Sequence, residues 1–240
     1  MIKISNLSYK YKFSENVLEN INLEINDGEI ITIVGKNGTG KSTLAKLISG
    51  IIVPKNGEIL IDDINTKNKK TKKELRKKIG ILFQNPDNQL IFPTVKDDLE
   101  FALNNLEINN KENRIKVALN LVDMNDFYEK ETYGLSLGQK QRINIAGILA
   151  TGTKYIVMDE PTTMIDTIGK DKIHKIIKEL KQKGYTFIII TNNSEELLLG
   201  DRIVILENKN IKKIINKKEI INNIDIFDEC EIKIPSTIDI

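Results

Sequence analysis

Cysteine is almost missing from this sequence. Cys230 is the only one, so no intrachain disulfide can form and no thiol pair is available to hold a metal. A reducing compartment is the simplest setting. A charge bias is missing too: Lys and Arg number 36 against 34 Asp and Glu, a net charge of +2, which argues against nucleic acid or anionic lipid as the main partner. Any basic surface must be local. No apolar run reaches the length of a signal peptide or a membrane span, the longest lying in YTFIIIT, so the expectation is a protein made and kept in the cytosol. Histidine is as scarce as cysteine. His174, the only one, sits between Ile173 and the later Ile177 and reads as a surface or boundary position on a helix.

What remains is a 240-residue chain, 40% hydrophobic, long enough to bury a full core in one large domain or in a domain with a helical insert. IKISNL and VLENINLEI alternate apolar and polar residues, and Asp27-Gly28 marks a turn before the apolar run IITIV. This predicts a strand-rich opening. Leu44, Leu47, Ile48 and Ile51 share one helical face, and PKNG then turns the chain into the strand EILI. The basic run at residues 67–79 reads as a solvated surface segment leading into the next strand. From about residue 94 to 150 the apolar spacing is helical, through Val95, Leu99, Ala102 and Leu103 and then Ile115, Ala118, Leu119 and Val122. Beyond it, strands KYIVM, FIII, RIVIL and IKKII alternate with helical stretches. The predicted fold is α/β, a mostly parallel sheet flanked by helices, with an N-terminal antiparallel β part and a helical insert.

Residues 35–43 read GKNGTGKST and fit G-x-x-x-x-G-K-[ST] throughout, between a predicted strand and a predicted helix. Glycines let the backbone curl so that its N–H groups face phosphate oxygens, and the helix after it adds its positive N-terminal end. Gly35, Lys36, Asn37, Gly38, Thr39, Gly40, Lys41, Ser42 and Thr43 are therefore the candidate phosphate cradle for ATP. Lys41 would reach the outer phosphates and Ser42 would ligate Mg2+. The strand KYIVM runs into Asp159-Glu160, two carboxylates placed as a phosphate-loop NTPase places its magnesium partner and the group that polarises the attacking water.

The stretch GLSLGQKQR at 134–142 followed by DEPTTMID at 159–166 resembles the ATP-binding cassette ATPases over essentially the whole chain. The family signature LSGGQ is matched by Leu135, Ser136, Leu137, Gly138 and Gln139. The resemblance implies the cassette fold in a single nucleotide-binding domain: a core with its β part at 1–93 and 151–222, a helical signature part at 94–150, and a short tail at 223–240. It also implies that Ser136, Leu137, Gly138 and Gln139 contact ATP held by a second cassette subunit, two subunits sandwiching two ATPs head to tail. A helix N-terminus would then supply in trans what an arginine finger supplies elsewhere. By the same resemblance Tyr11 stacks on adenine, Gln84 touches magnesium and senses a membrane partner, and Asp166 communicates across the dimer.

Residues 83–103, FQNPDNQLIFPTVKDDLEFAL, with QKQRINIAGILA, look like the energy-coupling-factor ATPases. Those power uptake of vitamins or of cobalt or nickel ions through a transmembrane coupling protein, a separate membrane subunit selecting the substrate. The resemblance therefore implies a protein peripheral on the inner face of the cell membrane. One departure stands out. The family has a histidine where this chain has Asn192, and an amide can donate a hydrogen bond but cannot hold positive charge. Binding should survive that change better than turnover, which favours a heterodimer with a more typical cassette. The resemblance leaves two further readings, a nucleotide-binding partner impaired in hydrolysis and a soluble cassette ATPase; the second is disfavoured because neither a coiled-coil insert nor a second cassette is present.

Overall fold

The computed structural model describes residues 1–13 and 15–235. The chain opens with β1 (Ile2–Lys10) and β2 (Asn16–Ile25), whose alternation buries one face, followed by β3 (Ile30–Val34), which is buried along its whole length. The phosphate-loop segment leads into α1 (Lys41–Ile48), and β4 (Asn56–Ile61) and the short β5 (Ile64–Asn65) follow. α1 stops earlier than its apolar spacing predicts. Gly50 takes φ 69, the left-handed conformation that ends helices, and Ile51 is left outside the helix and exposed.

The basic run is solvated and leads into the next strand as expected: its second half forms α2 (Lys72–Lys78), pinned by the buried Leu75 with its lysines turned outward, and feeds β6 (Ile79–Leu82). The helical stretch consists of α3 (Val95–Asn105), α4 (Lys111–Leu121) and α5 (Leu137–Ala150). Then come β7 (Tyr155–Asp159), α6 (Thr167–Gln182), β8 (Thr186–Ile190), the short α7 (Ser194–Leu197), β9 (Arg202–Glu207), β10 (Asn210–Asn216) and α8 (Ile224–Glu229). The tail is no loose end where it is described, since Phe227, Cys230 and Ile232 are buried against β9 and β10. Residues 236–240 of the expected tail lie outside the described residues.

Two sheets result. One is antiparallel with strand order β2-β1-β4-β5; the other has order β10-β9-β3-β8-β7-β6 and is parallel except for its β10 edge. Buried parallel strands need apolar residues on both faces, which explains why IITIV, YIVM and TFIII read as unbroken runs. One core cluster fills the space between the parallel sheet and α3 to α6, and a second lies between the two sheets around α1. The order has a functional consequence: β3, β8, β7 and β6 are neighbours, so the segments leaving their carboxyl ends converge. Ligand sites of open α/β sheets form along that edge.

Candidate functional site: a phosphate loop facing two carboxylates

The segment leaving β3 cannot be built without its glycines. A Cβ on Gly35 would stand 2.3 Å from the Leu206 carbonyl oxygen, and Gly40, at φ 98, would drive one to 2.8 Å from Leu18. Gly40 caps α1 with no side-chain hydrogen bond, so the N–H groups of the first helical turn stay open to an anion. Lys41 is buried and its ammonium donates to the Gly35 and Lys36 carbonyls at 2.6 and 3.0 Å, folding the lysine over its own loop. Burial lowers its pKa, against the raising influence of Glu160 and Asp159. Thr39 ties the loop by donating to the Lys36 carbonyl at 2.9 Å, while Asn37 and Gly38 form its outer rim.

β7 delivers Asp159 from its last position. The carboxylate accepts from the Ser42 hydroxyl at 3.0 Å, so two of the three residues picked for magnesium are brought together. Burial pushes the Asp159 pKa up; Ser42 opposes this and the charge of Glu160 adds to it. Glu160 follows with φ 49, a left-handed backbone that costs a side-chain-bearing residue energy and persists only where the surroundings enforce it. Its N–H donates to the Ile190 carbonyl at 2.8 Å. Gln84, two residues beyond β6, donates through Nε2 to Glu160 Oε2 at 2.8 Å, and Thr163 donates to the same oxygen at 3.2 Å. Ser42, Asp159 and Gln84 offer hard oxygen donors of the kind magnesium takes.

Asn192, two residues past β8, closes the other side. Turned to satisfy both ends, its amide nitrogen donates to the Gly35 carbonyl at 2.8 Å and its oxygen faces the Asn37 side chain at 3.0 Å. Tyr11 lies one residue beyond β1. Its hydroxyl is 3.2 Å from Thr43 Oγ1 and its ring meets Tyr9 edge-on at a centroid distance of 5.1 Å, which places an aromatic face beside the start of α1.

The signature residues stand elsewhere. Ser136 caps α5 in a reciprocal box with Gln139: Ser136 Oγ accepts from the Gln139 N–H at 3.3 Å, and Gln139 Oε1 accepts from the Ser136 N–H at 2.9 Å. Leu137 packs partly inward against the helical core. Gly138 abuts the start of α6, where a Cβ would come within 3.3 Å of Ile165 and 3.5 Å of the Gly169 Cα. There Asp166 caps α6 by accepting from the Gly169 N–H at 2.7 Å. Among the described residues, no hydrogen bond or ion pair joins residues 136–139 or Asp166 to residues 35–43. The structure thus gathers Tyr11, Gln84, Asp159, Glu160 and Asn192 around the loop and leaves the signature and Asp166 apart from it, side by side.

Sequence reasoning missed the residues that fasten these loops. Gln141, fully buried on α5, donates to the Pro161 carbonyl at 2.8 Å and to the Phe83 carbonyl at 3.3 Å, bridging the segments that carry Glu160 and Gln84. Asn144, one turn on, donates to the Pro86 carbonyl at 3.1 Å. Amides at i and i+3 on a helix whose later turns are apolar were the available signal.

A glycine-built phosphate loop at the head of a helix, faced by paired carboxylates at the end of the next strand but one of a parallel sheet, defines a phosphate-loop NTPase. Residues 18–163 match the family described as ABC transporter. The chain is 41% identical to the "Energy-coupling factor transporter ATP-binding protein EcfA1" of Fusobacterium nucleatum, over 100% of this chain and 90% of that protein. It is also 41% identical to the protein of that name in Oenococcus oeni, over 98% and 86%. Among solved structures, cbiO1 of Clostridium perfringens, described as part of the ABC transporter complex cbiONQ, superposes with TM-score 0.84 at 33% identity over 98% of this chain and 95% of that one. The cassette MJ0796, solved as a dimer in a post-hydrolysis state with ADP and Pi, gives TM-score 0.79 at 29% identity over 90% and 98%. The chain belongs to the ABC transporter ATPase family, whose members bind and hydrolyse ATP. Among the described residues no helix is long and apolar enough to cross a membrane.

Proposed function

We propose that this chain is the ATP-binding and hydrolysing subunit of an energy-coupling-factor importer, taking up vitamins or cobalt or nickel ions and docked on the inner face of the membrane. One observation carries the reading: the chain matches, end to end at 41% identity, proteins named as energy-coupling factor ATP-binding subunits. The converged site supports it. Residues 35–43 would cradle the phosphates, Lys41 would leave its own loop carbonyls for the outer phosphates, and Tyr11 would carry the adenine. Mg2+ would be held by Ser42, Asp159 and Gln84 and would neutralise charge developing on the phosphates. Glu160 would polarise the attacking water, its strained backbone and Gln84 fixing where it points.

The signature's separation from the loop supports a site completed by a second cassette. Ser136, Leu137, Gly138 and Gln139, with Asp166 beside them, would face the ATP of that partner. Asn192 already donates to the loop and can donate to a phosphate, yet it cannot carry the positive charge of an imidazolium. The chain's own site is therefore the slower of the pair, and a heterodimer with a fully armed cassette is favoured over a homodimer. Purification from membranes tests this: the tagged chain should bring down a second cassette and a polytopic membrane protein. Recovery with RNA or ribosomes alone would refute the importer reading.

A further inference from the structure

The ATP site as described leaves one buried carboxylate without a task. Glu196 is 1% exposed, on α7, four residues after Asn192. Its Oε1 accepts a short hydrogen bond from the hydroxyl of Thr162, which is fully buried and two residues after Glu160. From the opposite side α6 presents His174, whose Nε2 lies 3.8 Å from the same oxygen. That ring nitrogen is buried and has no hydrogen-bond partner. A carboxylate can only accept, and a ring nitrogen facing it with a lone pair would repel it. An ionised Glu196 therefore favours the form in which Nε2 carries a proton.

We propose that His174 is a positioning residue. Its Nε2–H donates to Glu196, and the chain Thr162–Glu196–His174 clamps the segment bearing Glu160 to the segment bearing Asn192. This rests on the reading that both residues act on the same phosphate. The backbone bond from Glu160 to Ile190 joins the two strand ends, and beyond them, among the described residues, the hydrogen bond from Thr162 to Glu196 spans the gap. A displacement of well under 1 Å in α6 or α7 brings Nε2 from 3.8 Å into hydrogen-bond range. Losing the donor leaves a buried carboxylate with one partner fewer, free to pull Thr162 away from its place and Glu160 with it. The sequence hides this pairing, since His174 looks like a boundary residue on an amphipathic helix.

Because the chain has a single histidine, its imidazole can be observed alone. Long-range 15N NMR on the full chain should show the Nε2–H form, neutral or charged, with a Nε2 resonance that moves in Glu196→Gln. A neutral Nδ1–H tautomer, or a Nε2 signal indifferent to Glu196→Gln, would overturn the proposal. In the assembled transporter with the partner cassette's own hydrolysis silenced, His174→Leu should lower kcat about tenfold with KM within about twofold, a misplacement effect. His174→Gln, which keeps an N–H donor, should recover most of it. Unchanged kcat in His174→Leu, or equal losses in both variants that follow their thermal stability, would overturn it as well. If the wild-type site hydrolyses nothing, the catalytic reading of this chain fails while the NMR result still decides the clamp.

Discussion

The two ends of β7 hold carboxylates in opposite ways. At its start, the Tyr155 hydroxyl lies 2.7 Å from Asp27 and 2.5 Å from Asp62, and the Met1 amine, Lys154 and Lys78 surround the pair. Hydrogen bonds from Lys154, the Met1 amine and Tyr155 hold Asp27 far below the usual carboxylate range. Burial would raise Asp62, but donors from the Met1 amine, Tyr155 and Lys78 outweigh it and bring it down to about 2. At its end, four residues later, Asp159 has a single hydroxyl donor, a second carboxylate beside it and a raised pKa. One end is saturated with cations and donors. The other is short of positive charge while a buried lysine waits nearby on its own carbonyls. Fully paired charge stabilises a fold; charge left wanting is what a cation and a phosphate can satisfy.

This contrast can be broken at either end. The largest effect should come from Glu160→Gln, which removes the water-polarising group: hydrolysis at this site should drop about 10²- to 10⁴-fold while ATP still binds, as single-turnover kinetics and nucleotide titration would show. Lys41→Ala should weaken ATP binding about 10- to 100-fold, the loss of a charge-assisted hydrogen bond. Its melting temperature should hold or rise, because a buried ammonium with only carbonyl partners is gone. Tyr155→Phe should do the reverse, costing about 1 kcal/mol in denaturant unfolding as Asp27 and Asp62 each lose a hydroxyl donor, with ATP affinity untouched. Asn192→His should raise turnover severalfold, measured as kcat; no change would mean that the amide suffices.

The smallest effect is one of pH. Asp27 and Asp62 titrate lower in the folded chain than the ordinary value of 3.8, so their contribution is fully present above that value and is lost as pH falls through about 2. Unfolding free energy measured between pH 5 and 2 should decline less steeply in Tyr155→Phe than in the wild type. Parallel slopes would separate Tyr155 from the pairing.

Legibility from sequence followed the range of the interaction. The phosphate loop and Asp159-Glu160 are local: glycine positions, a lysine, and an apolar strand running into acids. The order of strands and helices came from periodicity, and Gly50 already carried the signal for the early stop of α1 that the apolar count at Ile51 concealed. What was not legible is what ties distant segments together. Gln141 bridges residues 20 and 58 positions away, Thr162 meets Glu196 across 34, and no spacing rule encodes such pairs. The packing of Gly138 on Gly169 belongs with them: two helix starts read separately proved to be neighbours.

The central claim is that ATP at this loop awaits a second cassette's signature. Sedimentation of the Glu160→Gln chain with its partner cassette, with and without ATP and Mg2+, tests it most directly. The account predicts a stable two-cassette species only with ATP, lost in Lys41→Ala and weakened by a bulky charge at Ser136. A chain that binds ATP and sediments as a monomer throughout would contradict it.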